Sequence, residues 1–180
     1  MWYGSVCDSP LVVSLAKGPH RFCGEGQSIL FDLDANGQLD FVTWTVADSE
    51  IAFVTLDLNG NGTIDSGAEL FGNHMKKKDG STAANGFDAL ADFDDNNDGV
   101  IDATDVVWSR LRLWVARNHD GFNEPTEMST PAEANITAFG LDHHFTARYD
   151  RFGNTLRFKG EIVQDDHPQP YYDVYFRMLQ

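Results

Sequence analysis

The sequence predicts an α+β fold, with a central helix–loop–helix pair flanked by N-terminal strands and a C-terminal antiparallel hairpin. Three observations predict it. A phrase of the form Asp-x-Asp/Asn-x-Asn/Asp-Gly recurs at Asp32 (DLDANGQLD), Asp57 (DLNGNGTID) and Asp94 (DDNNDGVID), with a degenerate copy at Ala116 (ARNHDGFNE). Apolar residues on both sides of the third copy recur at helical spacing. Both ends of the chain alternate apolar with polar residues, as half-buried strands do.

Taken in order, residues 11–15 (LVVSL) read as a buried strand, and 29–33 (ILFDL) run into the first loop. Residues 41–46 (FVTWTV) leave it as a strand rich in aromatic and β-branched residues, and 51–56 (IAFVTL) enter the second loop. AELFG then makes a helical turn stopped by Gly72. The polar stretch 73–85, with Lys76, Lys77 and Lys78, reads as an exposed loop. Phe87, Leu90 and Phe93 fall on one face of a helix over 86–93. After loop three, Val107, Leu111 and Trp114 predict a second amphipathic helix over 104–113; helix, loop, helix is the EF-hand arrangement. Loop four exits into a short helix interrupted by Pro131. Segments 136–145, 155–163 and 171–178 alternate, and the RFGN turn at 151–154 predicts a hairpin. The chain thus reads as a single domain over 1–180. Its parts are a β-rich region 1–72 with two Asp/Asn loops, the loop 73–85, the EF-hand-like pair 86–134 and a β tail 135–180.

Oxygen side chains at alternate positions followed by a turn glycine are what a hard cation requires, because calcium takes about six to eight oxygen ligands. Loop three offers Asp94, Asn96 and Asp98 at positions 1, 3 and 5, the Val100 carbonyl at 7, Asp102 at 9 and Asp105 at 12. Loop two offers Asp57, Asn59, Asn61, the Thr63 carbonyl and Asp65. Position 12 is Ala68, and the extra Gly67 lets Glu69 close the loop. Loop one offers Asp32, Asp34, Asn36, Gln38 through its carbonyl, and Asp40 as the closing acid; the competing reading is a β-turn held by Asx side chains. Loop four has Asn118, Asp120, the Phe122 carbonyl and Glu127, with Glu124 at position 9. It has Ala116 in place of the first carboxylate, and is either a metal-free partner of loop three or a weak site. Two or three bound Ca2+ ions are the expectation.

The formal net charge is −15, and 14 of the 28 acidic residues lie in the windows 32–43, 57–69, 94–105 and 116–127, so the acidity sits where cations would. Such a chain repels phosphate, which excludes nucleic acid as a partner. No apolar run reaches membrane-spanning length. The start, MWYGSVCDSP, lacks the basic and apolar regions of a signal peptide, so export would require a signal removed or upstream. Cys7 and Cys23 match no zinc spacing. In an exported protein they would form a disulfide closing a loop of about 16 residues, worth roughly 3 kcal/mol; in the cytosol they would be thiols. The six histidines form no HExxH or i, i+4 pair, and His143 and His144 would point to opposite faces of a strand. Trp108 and Trp114, at helical spacing, read as core.

The strings LDLNGNGTIDSGAELFGN (56–73), ALADFDDNNDGVIDATD (89–105), SRLRLWVARNHDG (109–121) and YDRFGNTLRFKGEI (149–162) resemble a family of exported bacterial EF-hand-like calcium-binding domains. The same core is similar to the calcium-dependent self-processing module of RTX (repeats-in-toxin) proteins. The resemblance spans about residues 9–178. It implies calcium-dependent folding and, for the module, cleavage of the chain's own Asp-Pro bond. Here the matching place reads Asp8-Ser9-Pro10, and no Asp-Pro occurs in the 180 residues, so self-cleavage is disfavoured. The expectation is a calcium-ordered structural or interaction module, secreted, cell-surface or periplasmic, whose partner is an unidentified protein or surface glycan. The alternative is a calcium-dependent enzyme or autoprocessing module.

Overall fold

The apolar runs at 11–13 and 51–54 lack polar alternation because the strands they form are covered on both faces. The computed structural model describes residues 8–179; Cys7, and with it the disulfide expectation, lies outside them. Among the described residues the elements are β1 (Leu11–Ser14), β2 (Ile29–Phe31), β3 (Asp40–Val42), β4 (Ile51–Thr55), α1 (Gly86–Ala91), β5 (Val100–Asp102), β6 (Arg112–Trp114), β7 (Met128–Ser129), β8 (Ile136–Gly140), β9 (His144–Tyr149), β10 (Thr155–Gln164), β11 (His167–Tyr175) and β12 (Met178–Leu179). The main sheet has nine strands in the order β5-β8-β10-β11-β1-β4-β6-β7, with β9 also paired to β10. Every pairing in it is antiparallel. A second sheet, β12-β3-β2, is also antiparallel.

Side chains from successive positions divide between two cores. Leu11 and Val13, Ala52 and Val54, Leu111, Leu113 and Val115, and Tyr171 enter one core with Phe71, Met75, Phe87, Leu90, Ile101 and Phe139. Val12, Ile51 and Phe53, Trp114 and Ala116, Tyr172, Val174 and Phe176 enter the other with Ile29, Phe31, Val42 and Trp44. One face of the sheet is therefore covered by α1 and the segments around it, and the other by the small sheet, with side chains alternating between them. The second core is aromatic: the Trp44 ring centroid lies 4.5 Å from Phe53 and 5.8 Å from Trp114.

The α+β expectation with an EF-hand-like pair is overturned. The chain is mostly β, with one short helix among the described residues. α1 forms as the apolar spacing predicts: Asn85 caps it by accepting from the Asp88 N–H, and Phe87 and Leu90 are buried. The second helix does not form. Val106–Ser109 is a 3-10 turn, and Arg112–Trp114 is strand β6, paired Phe53↔Trp114 and Val54↔Leu113. Residues 107–116 fit both periods, since Val107, Leu111 and Trp114 satisfy 3.6 while Leu111, Leu113 and Val115 satisfy 2. A free sheet edge on β4 and the β-branched and aromatic content decide for the strand. Loop four exits into the 3-10 turn Pro125–Glu127, strand β7 and the 3-10 turn Ala132–Ala134, the last ended by Asn135 at φ 55°. The segment 73–85 is anchored, with Met75 and Ala83 in the core and Lys76 bridged to Thr82. The predicted hairpin is β9–β10, turned at Gly153 (φ +86°).

Candidate metal centres

The four loops share one hydrogen-bond pattern despite different surroundings. In each, the residue at position 3 or 5 accepts the N–H two residues on. Asn36 accepts from Gln38 at 2.8 Å, Asn61 from Thr63 at 2.8 Å, Asn96 from Asp98 at 3.0 Å and Asn118 from Asp120 at 3.2 Å. Where position 1 is Asp, its two oxygens take the N–H groups further along. Asp32 takes those of Asn36 and Gly37, Asp57 those of Gly60 and Gly62, and Asp94 those of Asp98 and Gly99. The turn glycines Gly37, Gly62, Gly99 and Gly121 all have φ between +83° and +88°, the left-handed region that a side chain disfavours.

The closing acids set these loops apart from surface Asx turns. Glu69 is 3% exposed, and Asp105 and Glu127 are each 4% exposed. Glu69 accepts from Leu58 N at 3.0 Å and Asp65 N at 2.9 Å. Asp105 accepts from Asp95 N at 2.9 Å and Asp102 N at 3.0 Å. In both loops the closing carboxylate clasps positions 2 and 9, so a single acid draws the loop into a ring. Glu127 accepts from Arg117 N at 2.6 Å and Asn118 N at 3.1 Å, but its other oxygen is taken by the Trp114 indole N–H at 3.1 Å. Ala116, at position 1 of that loop, is packed in the aromatic core.

Loop one is different again. Asp40 has a buried Oδ2 with no hydrogen-bond partner. Its carboxyl is pushed above the usual range by burial first, then by the neighbouring charges of Asp34, Asp32 and Asp8. Asp65 is held below the usual range by the Asn61 amide first, then by Thr63, and Asp102 by Thr104. In loop four, burial, Asp120 and Glu127 raise Glu124.

In all four loops an Asn amide N–H2 rests on a carboxylate: Asn36 on Asp34, Asn61 on Asp65, Asn96 on Asp98, and Asn118 on both Asp120 and Glu124. The positive end of an amide dipole thus sits among the acids. Among the described residues no three His, Cys, Asp or Glu side chains converge as a metal-holding group by themselves. A cation held here would also need amide and main-chain oxygens, for which the sequence reading offers the carbonyls of Gln38, Thr63, Val100 and Phe122.

Three loops meet. Ser66 bridges to Asp32, and the Gly67 N–H donates to the Asp32 carbonyl at 2.8 Å, joining loops one and two. The Ile64 N–H donates to Asn123 Oδ1 at 2.8 Å, joining two and four. Loop three stands apart against β8, where the Leu141 N–H donates to the Gly99 carbonyl at 3.0 Å. Sequence reasoning missed Ser66 and Asn123, whose partners lie in other loops and leave no local signal. The histidines are dispersed. His74 pairs with Asp8 at 2.5 Å, His119 meets the Thr45 carbonyl at 2.8 Å, and His143 stacks on Phe87 with centroids 4.4 Å apart.

The model of the SPM domain family matches residues 11–177. The chain belongs to the SPM domain family. A relative, the iron-regulated protein FrpA of Neisseria meningitidis serogroup C, is 39% identical over 137 residues, which are 76% of this chain and 12% of that protein. The chain thus spans about an eighth of the length of this bacterial relative. These findings replace the resemblance drawn from the motifs. The matching family is the SPM domain, neither its description nor the relative's name carries the EF-hand or RTX assignment, and the β-rich fold lacks the paired helices that an EF-hand domain requires.

Proposed function

We propose that this domain is a calcium-binding module without catalytic activity of its own, in which Ca2+ held by loops one, two and three orders a β-sheet scaffold that serves an exported protein. The observation that carries the reading is the pair of buried closing carboxylates, Glu69 and Asp105. Each is drawn onto positions 2 and 9 of a loop whose positions 1, 3 and 5 are all oxygen-bearing. Burying a carboxylate beside several other acids is costly unless a cation joins them. Loop one supports the same reading through the unpartnered Asp40 oxygen amid Asp32 and Asp34. Loop four is a structural turn: its closing acid is saturated by the indole and two main-chain N–H groups, and its first position is a core alanine. Export fits because the sparse charge of loop two suits the millimolar calcium outside cells.

Equilibrium dialysis of chelator-stripped protein tests the loop assignment. Wild type binds two to three calcium ions per chain, Asp94→Asn and Asp57→Asn each lose one, and Asp120→Asn loses none. Unchanged stoichiometry in both of the first two variants would refute it.

A further inference from the structure

A groove of about 740 Å³ runs between loop two and the exit of loop four. Ile64, Pro125 and Met128 give it an apolar floor, and Arg110 and Arg112 form one wall. The two guanidinium groups are anchored by main-chain carbonyls and not by acids. Arg110 Nη2 donates to the Asp57 carbonyl at 3.2 Å, and Arg112 Nη1 donates to those of Ser109 at 3.0 Å and Leu111 at 2.7 Å. Among the described residues neither lies within 4.0 Å of a carboxylate, whereas Lys17, Lys77, Lys78, Arg117 and Arg177 all do. The charge of Arg112 reaches Glu133 through space. Six other basic side chains also lack a carboxylate partner among the described residues, so what distinguishes Arg110 and Arg112 is their place together on one groove wall. Each fork is held in place with donors to spare, which is the arrangement that recognises carboxylates from outside.

The floor decides the kind of carboxylate. No aromatic ring lines the groove, so a sugar ring has nothing to stack on, while the apolar strip suits aliphatic side chains. We propose that this groove is the docking site for a partner's extended peptide segment in which acidic residues alternate with apolar ones. The acids pair with Arg110 and Arg112, and the apolar residues lie on Ile64 and Met128. Asp57 is the acid in the lining. Calcium in loop two neutralises it and strengthens docking, a coupling that rests on the calcium reading above; the groove itself does not.

Fluorescence anisotropy with a labelled octapeptide alternating Glu and Leu, and with its Gln-for-Glu counterpart, tests this on the whole chain. The acidic peptide binds and the Gln peptide binds at least about tenfold more weakly, each lost charge-assisted bond being of that order. Arg110→Gln, at an exposed position, and Arg112→Gln each weaken the acidic peptide about tenfold, while Arg112→Lys restores part of the loss and shows that the variant folds. Equal affinity of both peptides, no binding at millimolar peptide, or indifference to both arginine variants would overturn the proposal. Arginine-dependent binding that ignores calcium removes the coupling alone. Calcium uptake with no arginine dependence removes the groove and leaves the metal reading standing.

Discussion

Glu69 holds its loop closed through three main-chain N–H groups and Asp105 through two, so their removal has two separable effects. Without metal, replacing Asp105 by Ala leaves two part-buried N–H groups without their acceptor and costs about 1 kcal/mol. With metal, Glu69→Gln keeps the shape but removes a charged ligand, and calcium affinity at loop two falls by an order of magnitude or more in a calorimetric titration; an unchanged affinity would show that Glu69 is only a structural clasp. Asp173 is a different kind of residue. It is fully buried between Tyr171 and Tyr175, and neither carboxylate oxygen has a hydrogen-bond partner of good geometry. Burial raises its pKa to about 7, with Ser9, the Gly86 main chain and Arg157 opposing. The folded state therefore keeps a proton that the unfolded chain releases near pH 4, so stability falls as pH rises from about 4 to about 7 and levels off above. The span is on the order of 4 kcal/mol. Asp173→Asn flattens that slope in denaturant unfolding measured across pH; an equally steep slope in the variant would assign it to other groups.

At the scale of elements, tertiary pairing overrode local spacing in one place and confirmed it in others. α1 and the β9–β10 hairpin were legible because each carries its own stop: the Asn85 cap for the helix, and Gly153 in the turn. The inserted Gly67 also points to Glu69, whose carboxylate accepts from the Leu58 and Asp65 N–H groups of loop two. Strand β6 was not, because Val107, Leu111 and Trp114 satisfy the helical period while Leu111, Leu113 and Val115 satisfy that of a strand, and what settles the matter is β4, about 60 residues earlier, through Leu113↔Val54 and its neighbours. Contacts at such separation are invisible in a local window. The glycine of loop two also has a role that spacing could not show. A Cβ on Gly67 would stand 1.8 Å from the Leu33 carbonyl oxygen, where loops one and two join. Gly67→Ala therefore costs about 3 kcal/mol or more, since main chain must move. The thermal midpoint drops with calcium present or absent, in contrast to Glu69→Gln, whose larger deficit appears only with calcium.

For the whole molecule, the net charge of −15 works against compaction, and under the calcium proposal cations in the acidic loops would offset it. Loops one, two and four are tied to each other and adjoin strands β2, β4 and β6, so on the calcium proposal metal bound there would act on the interface between the two sheets. Metal in loop three would act on α1 and β8. A ligand that binds only the folded state stabilises it by roughly 4 kcal/mol at a thousandfold excess over Kd. The most direct measurement is an isothermal calcium titration of chelator-stripped protein, with the thermal unfolding midpoint and intact mass read on the same samples. Uptake of two or three ions, a large rise in the midpoint and an unchanged mass are predicted. No heat and no shift at millimolar calcium would contradict the account and reduce the loops to Asx-rich turns, and a calcium-dependent loss of mass would contradict the assignment of a non-catalytic module.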